Sequence, residues 1–258
     1  MSVLASEWLK IRSVRSSHLT VSISLGGILL GLGLAWMAVD MYDHATPAQK
    51  PGARLAELEE VVLMVPQLCM GVLGVLATTS EYATGFIRTS LTAVPKRWPV
   101  MAGKSVVVGV IALFTGSAVI FATYFVCRAL IADRFGGLYQ IPFTDKLPLL
   151  TALALTVPVF ALLGVGLGSI LRTASGSIVV LVGAVYVVPI IVGNLPQPWS
   201  DLLGSVMIGA LPHEITRDTT TNTVYGSLLP PVAAAAVLVT YALLPLLAGT
   251  WLLCRRDV

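Results

Sequence analysis

Residue types that carry out catalysis or bind metals are scattered along this 258-residue chain. His18, His44 and His213 stand far apart, and neither an HExxH zinc motif nor a GxSxG nucleophile motif occurs. The three cysteines also form no CxxC pair, lying at Cys69, Cys127 and Cys254. We expect the histidines to be solvated or interfacial and the cysteines to be packing residues. The sequence therefore predicts no catalytic residue and no metal site.

One short motif has the order that ends a phosphate-binding loop, namely Gly103, Lys104 and Ser105. The earlier glycine that such a loop requires, five positions before Gly103, is Trp98 instead. The motif also opens a long apolar stretch, whereas a phosphate loop follows a strand. We therefore predict no ATP site in this chain, so that any ATP-driven function needs a second chain to bind the nucleotide.

The composition is that of a membrane protein. Hydrophobic residues make up 56% of the chain and charged residues 11%, against about a quarter charged residues in soluble domains. A membrane-spanning helix needs about 20 apolar residues to cross about 30 Å of hydrocarbon. Six stretches qualify, approximately His18–Val39, Val61–Thr79, Ser105–Cys127, Leu147–Leu171, Ser177–Gly193 and Leu228–Cys254. The sequence predicts an all-α membrane protein with six transmembrane helices.

The basic residues predict how these spans are oriented. The side that holds both termini carries ten basic and three acidic residues, a charge of +7, whereas the other side carries six basic and ten acidic residues, a charge of −4. The two values add up to the net charge of +3. The positive charge therefore reflects the uneven division between the two membrane sides and not a basic patch for nucleic acid, so we expect no nucleic-acid partner. The sequence predicts a multi-pass protein of the plasma membrane with cytoplasmic N- and C-termini.

The first 17 residues predict an amphipathic helix in the cytoplasmic headgroup layer. Its apolar side is made by Val3, Leu4, Trp8, Ile11 and Val14. Lys10 and Arg12 lie elsewhere on the helix, but Glu7 falls within the apolar side. We expect Glu7 to pair with a partner protein or with a nearby cation. The alternative is a simple juxtamembrane anchor.

The loop after the second span predicts a short cytoplasmic helix over residues 81–94. Ser80 suits the N-cap and Glu81 the first turn, and Pro95 ends the element. One face is largely apolar and carries Tyr82, Ala83, Phe86, Ile87, Ser90, Leu91 and Ala93. The other face carries Glu81, Thr84, Arg88 and Thr92.

Three segments together resemble the ABC-2 type permeases, the membrane subunits of ABC exporters, of the kind common in actinobacteria. They are ASEWLKIRSVRS at Ala5–Ser16, SEYATGFIRTSLTAVPKRWPVMAGK at Ser80–Lys104, and the closing LCRRDV. The resemblance covers essentially the whole chain as a single transmembrane permease domain, residues 1–258. The external segment 194–227, however, departs from the loops of that family at LPHEITRDTTTNT.

The resemblance implies a permease that pairs with a second copy, as a homodimer, and with two separate ATP-binding subunits that hold ATP and Mg. Residues 1–17 would form the interface helix, with Glu7, Trp8, Lys10, Ile11 and Arg12 as its site residues. Residues 81–94 would form the coupling helix that contacts the ATPase, through Glu81, Tyr82, Phe86, Arg88 and Ser90.

The spans themselves bear on the substrate. No span has a Lys, Arg, Asp or Glu near its middle, and the strongest polar group there is Gln67. We assign Gln67 and Met70 to the substrate pathway and expect an amphipathic or hydrophobic substrate, such as an antibiotic, a peptide or a lipid.

Two alternatives remain open. An ion-coupled or facilitative carrier is disfavoured, because ionisable groups at membrane depth usually bind the coupling ion. A non-transporting immunity or sensor subunit would bind a ligand without turnover.

Overall fold

The computed structural model describes residues 3–84, 98–217 and 228–255 of the chain. These residues form helices and connecting turns and contain no strand. Six helical segments are long and apolar enough to cross a membrane, which confirms the six predicted spans. They are Arg15–His44, Leu58–Ala83, Trp98–Ile131, Phe143–Leu171, Ala174–Gly193 and Pro231–Arg255.

Ten helices are labelled here in chain order. They are α1 (Val3–Ser13), α2 (Arg15–His44), α3 (Leu58–Ala83), α4 (Trp98–Ile131), α5 (Phe143–Leu171), α6 (Ala174–Val182), α7 (Val188–Gly193), α8 (Trp199–Gly204), α9 (Leu211–Thr216) and α10 (Pro231–Arg255). Short helical turns at Lys50–Gly52 and Arg134–Gly137 join the spans. We call the end of the bundle that holds α1 the N-terminal face, and the other end the distal face.

Helix α5 lies at the centre of the bundle. Most of its residues are buried, and it packs against α3, α4, α6 and α10. The first, fifth and sixth spans lie on the outside of the bundle and expose large side chains such as Leu29, Val179 and Leu247. Exposed apolar side chains on a span are in contact with lipid, so the interior of this bundle is built mainly by the second, third and fourth spans.

The second and fourth spans approach each other closely through glycine. A Cβ atom at Gly74 would lie 2.0 Å from the carbonyl oxygen of Ala161, and one at Gly164 would lie 2.2 Å from that of Gly71. Only a residue without a side chain allows the two backbones to touch here. The contact between the second and fourth spans therefore depends on glycine at these positions.

The fifth span is not a uniform α-helix. A π-helical turn over Gly183–Val187 separates α6 from α7, and the amide of Val188 bonds to the carbonyl of Gly183. Pro189 follows directly and has no amide hydrogen to give. The wider turn accommodates this missing donor within the span.

The segment that follows the fifth span contains α8 and α9 and packs onto the distal face. Ile208 and Leu211 are buried in the apolar core formed with α5, α6 and α10. Glu214 accepts hydrogen bonds from the backbone amides of Leu228 and Leu229, at 3.2 Å each. These contacts hold α9 against the start of the last span.

Candidate functional site

Four charged side chains from three helices meet at the N-terminal face. Lys104 of α4 donates to Glu7 of α1 and to Glu81 of α3, at 2.9 Å each. Lys10 of α1 donates to the same two carboxylates, at 2.7 Å and 2.9 Å. We call Glu7, Lys10, Glu81 and Lys104 the N-terminal cluster. It ties α1 to the last turn of the second span and to the first turns of the third.

The cluster is buried and its charges balance. Glu7 is 2% exposed and Lys104 is 3% exposed. The third hydrogen bond of the Lys104 ammonium goes to the carbonyl of Ala77, at 2.8 Å. A buried charge that loses its partner costs several kcal/mol. Two acids and two bases, all hydrogen-bonded, avoid that cost.

Lys10 lies at the edge of the cluster. Partial burial alone would lower the pKa of its amine, but the hydrogen bonds to Glu7 and Glu81 outweigh burial and raise that pKa. Lys10 is therefore fully charged at physiological pH. It completes the neutralisation of the two carboxylates.

Helix α1 forms over Val3–Ser13, and one part of its surface packs against the bundle. Glu7 and Ile11 are the buried residues of this helix, whereas Leu4, Trp8 and Val14 are about half exposed. The expectation that Glu7 pairs with a nearby cation is confirmed, since both Lys10 and Lys104 bind it. Arg12 is exposed, as expected of a headgroup-facing residue. The side of α1 that contacts the bundle is thus the part of its apolar side that holds Glu7 and Ile11, and Glu7 adds the ion pairs to that contact.

Gly103 and Lys104, which do not belong to a phosphate-binding loop, have a structural role that the sequence did not predict. Helix α4 begins at Trp98 and runs through both residues. A Cβ atom at Gly103 would lie 2.9 Å from a methyl carbon of Val3. The glycine therefore lets α1 approach α4, and Lys104 fixes the contact with its charge.

The predicted N-cap at Ser80 is wrong. Helix α3 continues to Ala83, and the amide of Thr84 bonds to the carbonyl of Ser80. Ser80, Glu81 and Tyr82 therefore lie in the last turns of the second span and do not open a new helix. No helix-breaking residue separates Ser80 from the apolar run before it, so the backbone ladder simply continues. Phe86, Arg88 and Ser90 of the predicted coupling helix lie outside the described residues.

Tyr82 is placed at the same face, beside the turn between the fourth and fifth spans. The guanidinium of Arg172 lies 5.1 Å from the centre of its ring, a cation–π contact. Arg172 has φ 58°, and its amide bonds to the carbonyl of Gly168 to close α5. The ends of α3 and α5 are joined by this pair.

The two residues assigned to the substrate pathway lie inside the bundle on α3. Met70 is fully buried, and Gln67 is 6% exposed. The Gln67 amide donates to the hydroxyl of Thr156 on α5 at 2.8 Å, and the hydroxyl of Tyr186 in the fifth span lies 3.5 Å from its carbonyl oxygen. Gln67 therefore connects three spans, and its role in transport stays a prediction.

A second group of charged residues, which the sequence analysis counted only in the charge of the side opposite the termini, is packed at the distal face. Glu57 pairs with Lys146, and both are buried. Glu59 is 1% exposed and accepts a hydrogen bond from the hydroxyl of Tyr139 at 2.8 Å. Burial, with the carboxylate of Glu59 beside it, raises the pKa of the Tyr139 hydroxyl well above its ordinary value. The hydroxyl is therefore always a donor.

His213, expected to be solvated or interfacial, is not solvated. It is 8% exposed, and its Nε2 atom lies 2.7 Å from a carboxylate oxygen of Glu60. At the edge of the same face, Arg134 binds both carboxylate oxygens of Asp43 at 2.9 Å. The sequence does contain one sign of these ion pairs, namely three glutamates within four residues at the start of a span. Their partners come from distant parts of the chain and carry no local motif.

Protein-family models and curated protein sequences gave no match to this chain.

Proposed function

We propose that this chain is the permease subunit of an ATP-driven exporter of the ABC-2 type. It acts with a second copy of itself and with two separate ATP-binding subunits, which hold ATP and Mg. ATP-driven closure of those subunits pushes on the segment that follows α3, residues 85–94, and tilts the spans between inward-open and outward-open states. The chain has the transport role and the partner has the hydrolytic one.

The N-terminal cluster is the observation that carries this proposal. Residues 85–97 connect α3 to α4, and the two helices are joined at that point by the Lys104 to Glu81 contact of 2.9 Å. The same lysine binds Glu7 of the interface helix. A force applied to the connecting segment therefore reaches both spans and α1 as one unit. If residues 85–97 only lay on the lipid headgroups, no buried ion pair would be needed to connect α1, α3 and α4.

The interior of the bundle supports the proposed substrate class. In the interior of the bundle Gln67 contacts the uncharged groups of Thr156 and Tyr186, and Met70 and Leu73 beside it on α3 are apolar and buried. Recognition of a small ion normally uses charged groups at membrane depth. The substrate is therefore an amphipathic or hydrophobic molecule. Selective transport of a small charged metabolite by the reconstituted complex would contradict this assignment.

The test is whether a phosphate-loop ATPase copurifies with the tagged permease and hydrolyses ATP only when reconstituted with it. Phe86→Ala should weaken the complex by about 2 to 4 kcal/mol, the value for an anchor residue in an interface. Leu29→Ala is the matched control, because Leu29 is 71% exposed on the first span, away from this face. Full association and hydrolysis with Phe86→Ala would show that residues 85–94 do not couple the permease to the ATPase.

A substitution of Glu81 would not test the docking of the ATPase alone. The Glu81 carboxylate is buried and binds two lysines, so that Glu81→Ala also disturbs folding. Arg88→Ala is the better charge variant, with the small penalty expected of a charge at the rim of an interface.

An ion-coupled carrier remains the second candidate, and one observation favours it. Glu57 and Glu59 are buried at the distal end of α3, and a buried carboxylate is the kind of group that takes up a coupling proton. Uptake or export driven by a proton gradient, in vesicles that contain this chain alone and no ATP, would favour the carrier. Transport that requires the ATPase would favour the exporter.

A further inference from the structure

A groove of about 320 Å³ opens beside the N-terminal cluster, between α1, the start of α2 and the end of α3. Its walls are mainly apolar and include Ile11, Val14 and Leu76, while Lys10 and Glu81 lie at one end. We call it the headgroup groove. A cavity with an apolar wall and a charged end fits an amphiphile.

A hydroxyl group without a hydrogen-bond partner among the described residues lines this groove, on the side chain of Ser17. Ser17 is 8% exposed, and within residues 3–84, 98–217 and 228–255 its side-chain oxygen has no hydrogen-bond partner. It lies in the first turn of α2, a helix of 30 residues whose N-cap, Val14, supplies no side-chain acceptor. The first turn of a helix has unpaired amide groups and a positive dipole end, which together bind anions. The hydroxyl and the helix end favour the same kind of ligand.

The charge around the groove is positive. Glu7, Lys10, Glu81 and Lys104 cancel one another, as described above. Arg12 and Arg15 are adjacent in sequence to the groove residues Ser13, Val14 and Ser16, and both are exposed. Glu7, Lys10, Glu81, Lys104, Arg12 and Arg15 together carry a net charge of +2.

The groove lies where a membrane span begins. Leu19 and Ile23 follow Ser16 at helical spacing on α2 and are 58% and 50% exposed. They form an apolar track that leads from the groove along the span. A ligand with its head in the groove can place a hydrocarbon chain on this track.

We propose that the headgroup groove binds one anionic phospholipid, with its phosphate at Ser17 and the start of α2. The arginines Arg12 and Arg15 attract the headgroup, and an acyl chain lies along Leu19 and Ile23. The site does not depend on the exporter function, because it uses the bilayer itself as the source of ligand.

The experiment measures the thermal unfolding midpoint of the full chain, purified in a neutral detergent, during titration with three ligands. They are didecanoyl phosphatidylglycerol, didecanoyl phosphatidylcholine and inorganic phosphate. We expect phosphatidylglycerol to raise the midpoint at a concentration well below that needed for phosphatidylcholine, and phosphate to leave it unchanged. An equal effect of phosphatidylcholine would show non-specific lipid contact, and an equal effect of phosphate would show a site for a soluble anion; either result overturns the proposal.

Two variants locate the site. Arg15→Gln should raise the half-saturating concentration of phosphatidylglycerol about fivefold, since a basic residue near an anionic headgroup contributes about 1 kcal/mol. Ser17→Leu should abolish the shift by filling the groove. Arg255→Gln is the control, because it also removes one positive charge but at another place. Arg255 ends the last span, and its guanidinium lies 4.2 Å from the ring centre of Trp251. If Ser17→Leu does not fold, Arg15→Gln decides alone, and equal effects of Arg15→Gln and Arg255→Gln would overturn the proposal.

Discussion

The ammonium of Lys104 lies 2.9 Å from a carboxylate oxygen of Glu7, although 97 positions separate the two residues in the chain. The contact joins a helix outside the bundle to the first turns of a membrane span. Both side chains are almost fully buried. Because the pair is enclosed and shares its charge with Lys10 and Glu81, it holds α1 in one position on the bundle.

Removal of the lysine should destabilise the protein. In Lys104→Gln, Glu7 and Glu81 remain buried with only Lys10 to neutralise them, and breaking a buried ion pair costs about 3 to 5 kcal/mol. Arg12→Gln removes a positive charge from an exposed position of the same face and should change stability little. The unfolding midpoints in detergent compare the two variants. Equal midpoints would mean that the N-terminal cluster contributes nothing to stability.

Gly164→Ala should separate the second and fourth spans. The new methyl group would lie 2.2 Å from the carbonyl oxygen of Gly71, and backbone atoms cannot move aside as a flexible side chain does. Overpacking of a core costs about 1 to 3 kcal/mol. Gly33→Ala is the matched control, because a Cβ atom there has nothing within 4 Å. Denaturant unfolding of the two variants should differ by this amount, and unchanged stability of Gly164→Ala would contradict the close approach.

The stability of the protein should fall at alkaline pH as Lys10 loses its proton. Its folded-state pKa lies above the ordinary value of 10.5, so its contribution is complete below pH 10.5 and is lost as the pH rises through the folded pKa. Lys10→Arg keeps a positive charge throughout this range. Midpoints measured from pH 8 upward should coincide at first and separate above pH 10.5, with the wild type lower. Parallel curves over the whole range would show that Lys10 does not stabilise the cluster through its charge.

The positive-inside pattern gives a prediction about orientation. In a background with Cys254, which is exposed, replaced by serine, cysteines at Thr46 and Gly226 should react with an impermeant reagent outside intact cells. A cysteine at Thr92 should react only after the membrane is opened, because the +7 face is expected in the cytoplasm. External labelling at Thr92 would reverse the orientation or change the number of spans.

The sequence alone determined the six spans and the presence of α1. Both depend on local properties: a run of about 20 apolar residues must be helical in lipid, because only then are its backbone groups hydrogen-bonded. The prediction from local sequence that Ser80 caps a new helix was wrong. Its residue type suits a cap, but the helix before it had no reason to stop, and α3 continued to Ala83.

The tertiary structure decided which charged residues meet. Glu7, Glu81 and Lys104 each have an ordinary local setting in the sequence, and the three became partners only when α1, α3 and α4 were brought together. The same holds for Glu60 and His213 at the distal face. The length of an apolar run is a property of one segment and can be read from the sequence. An ion pair instead depends on distances between segments that are far apart in the chain. Helix packing sets those distances, and for this protein the backbone contact of Gly71 with Gly164 is a central part of that packing.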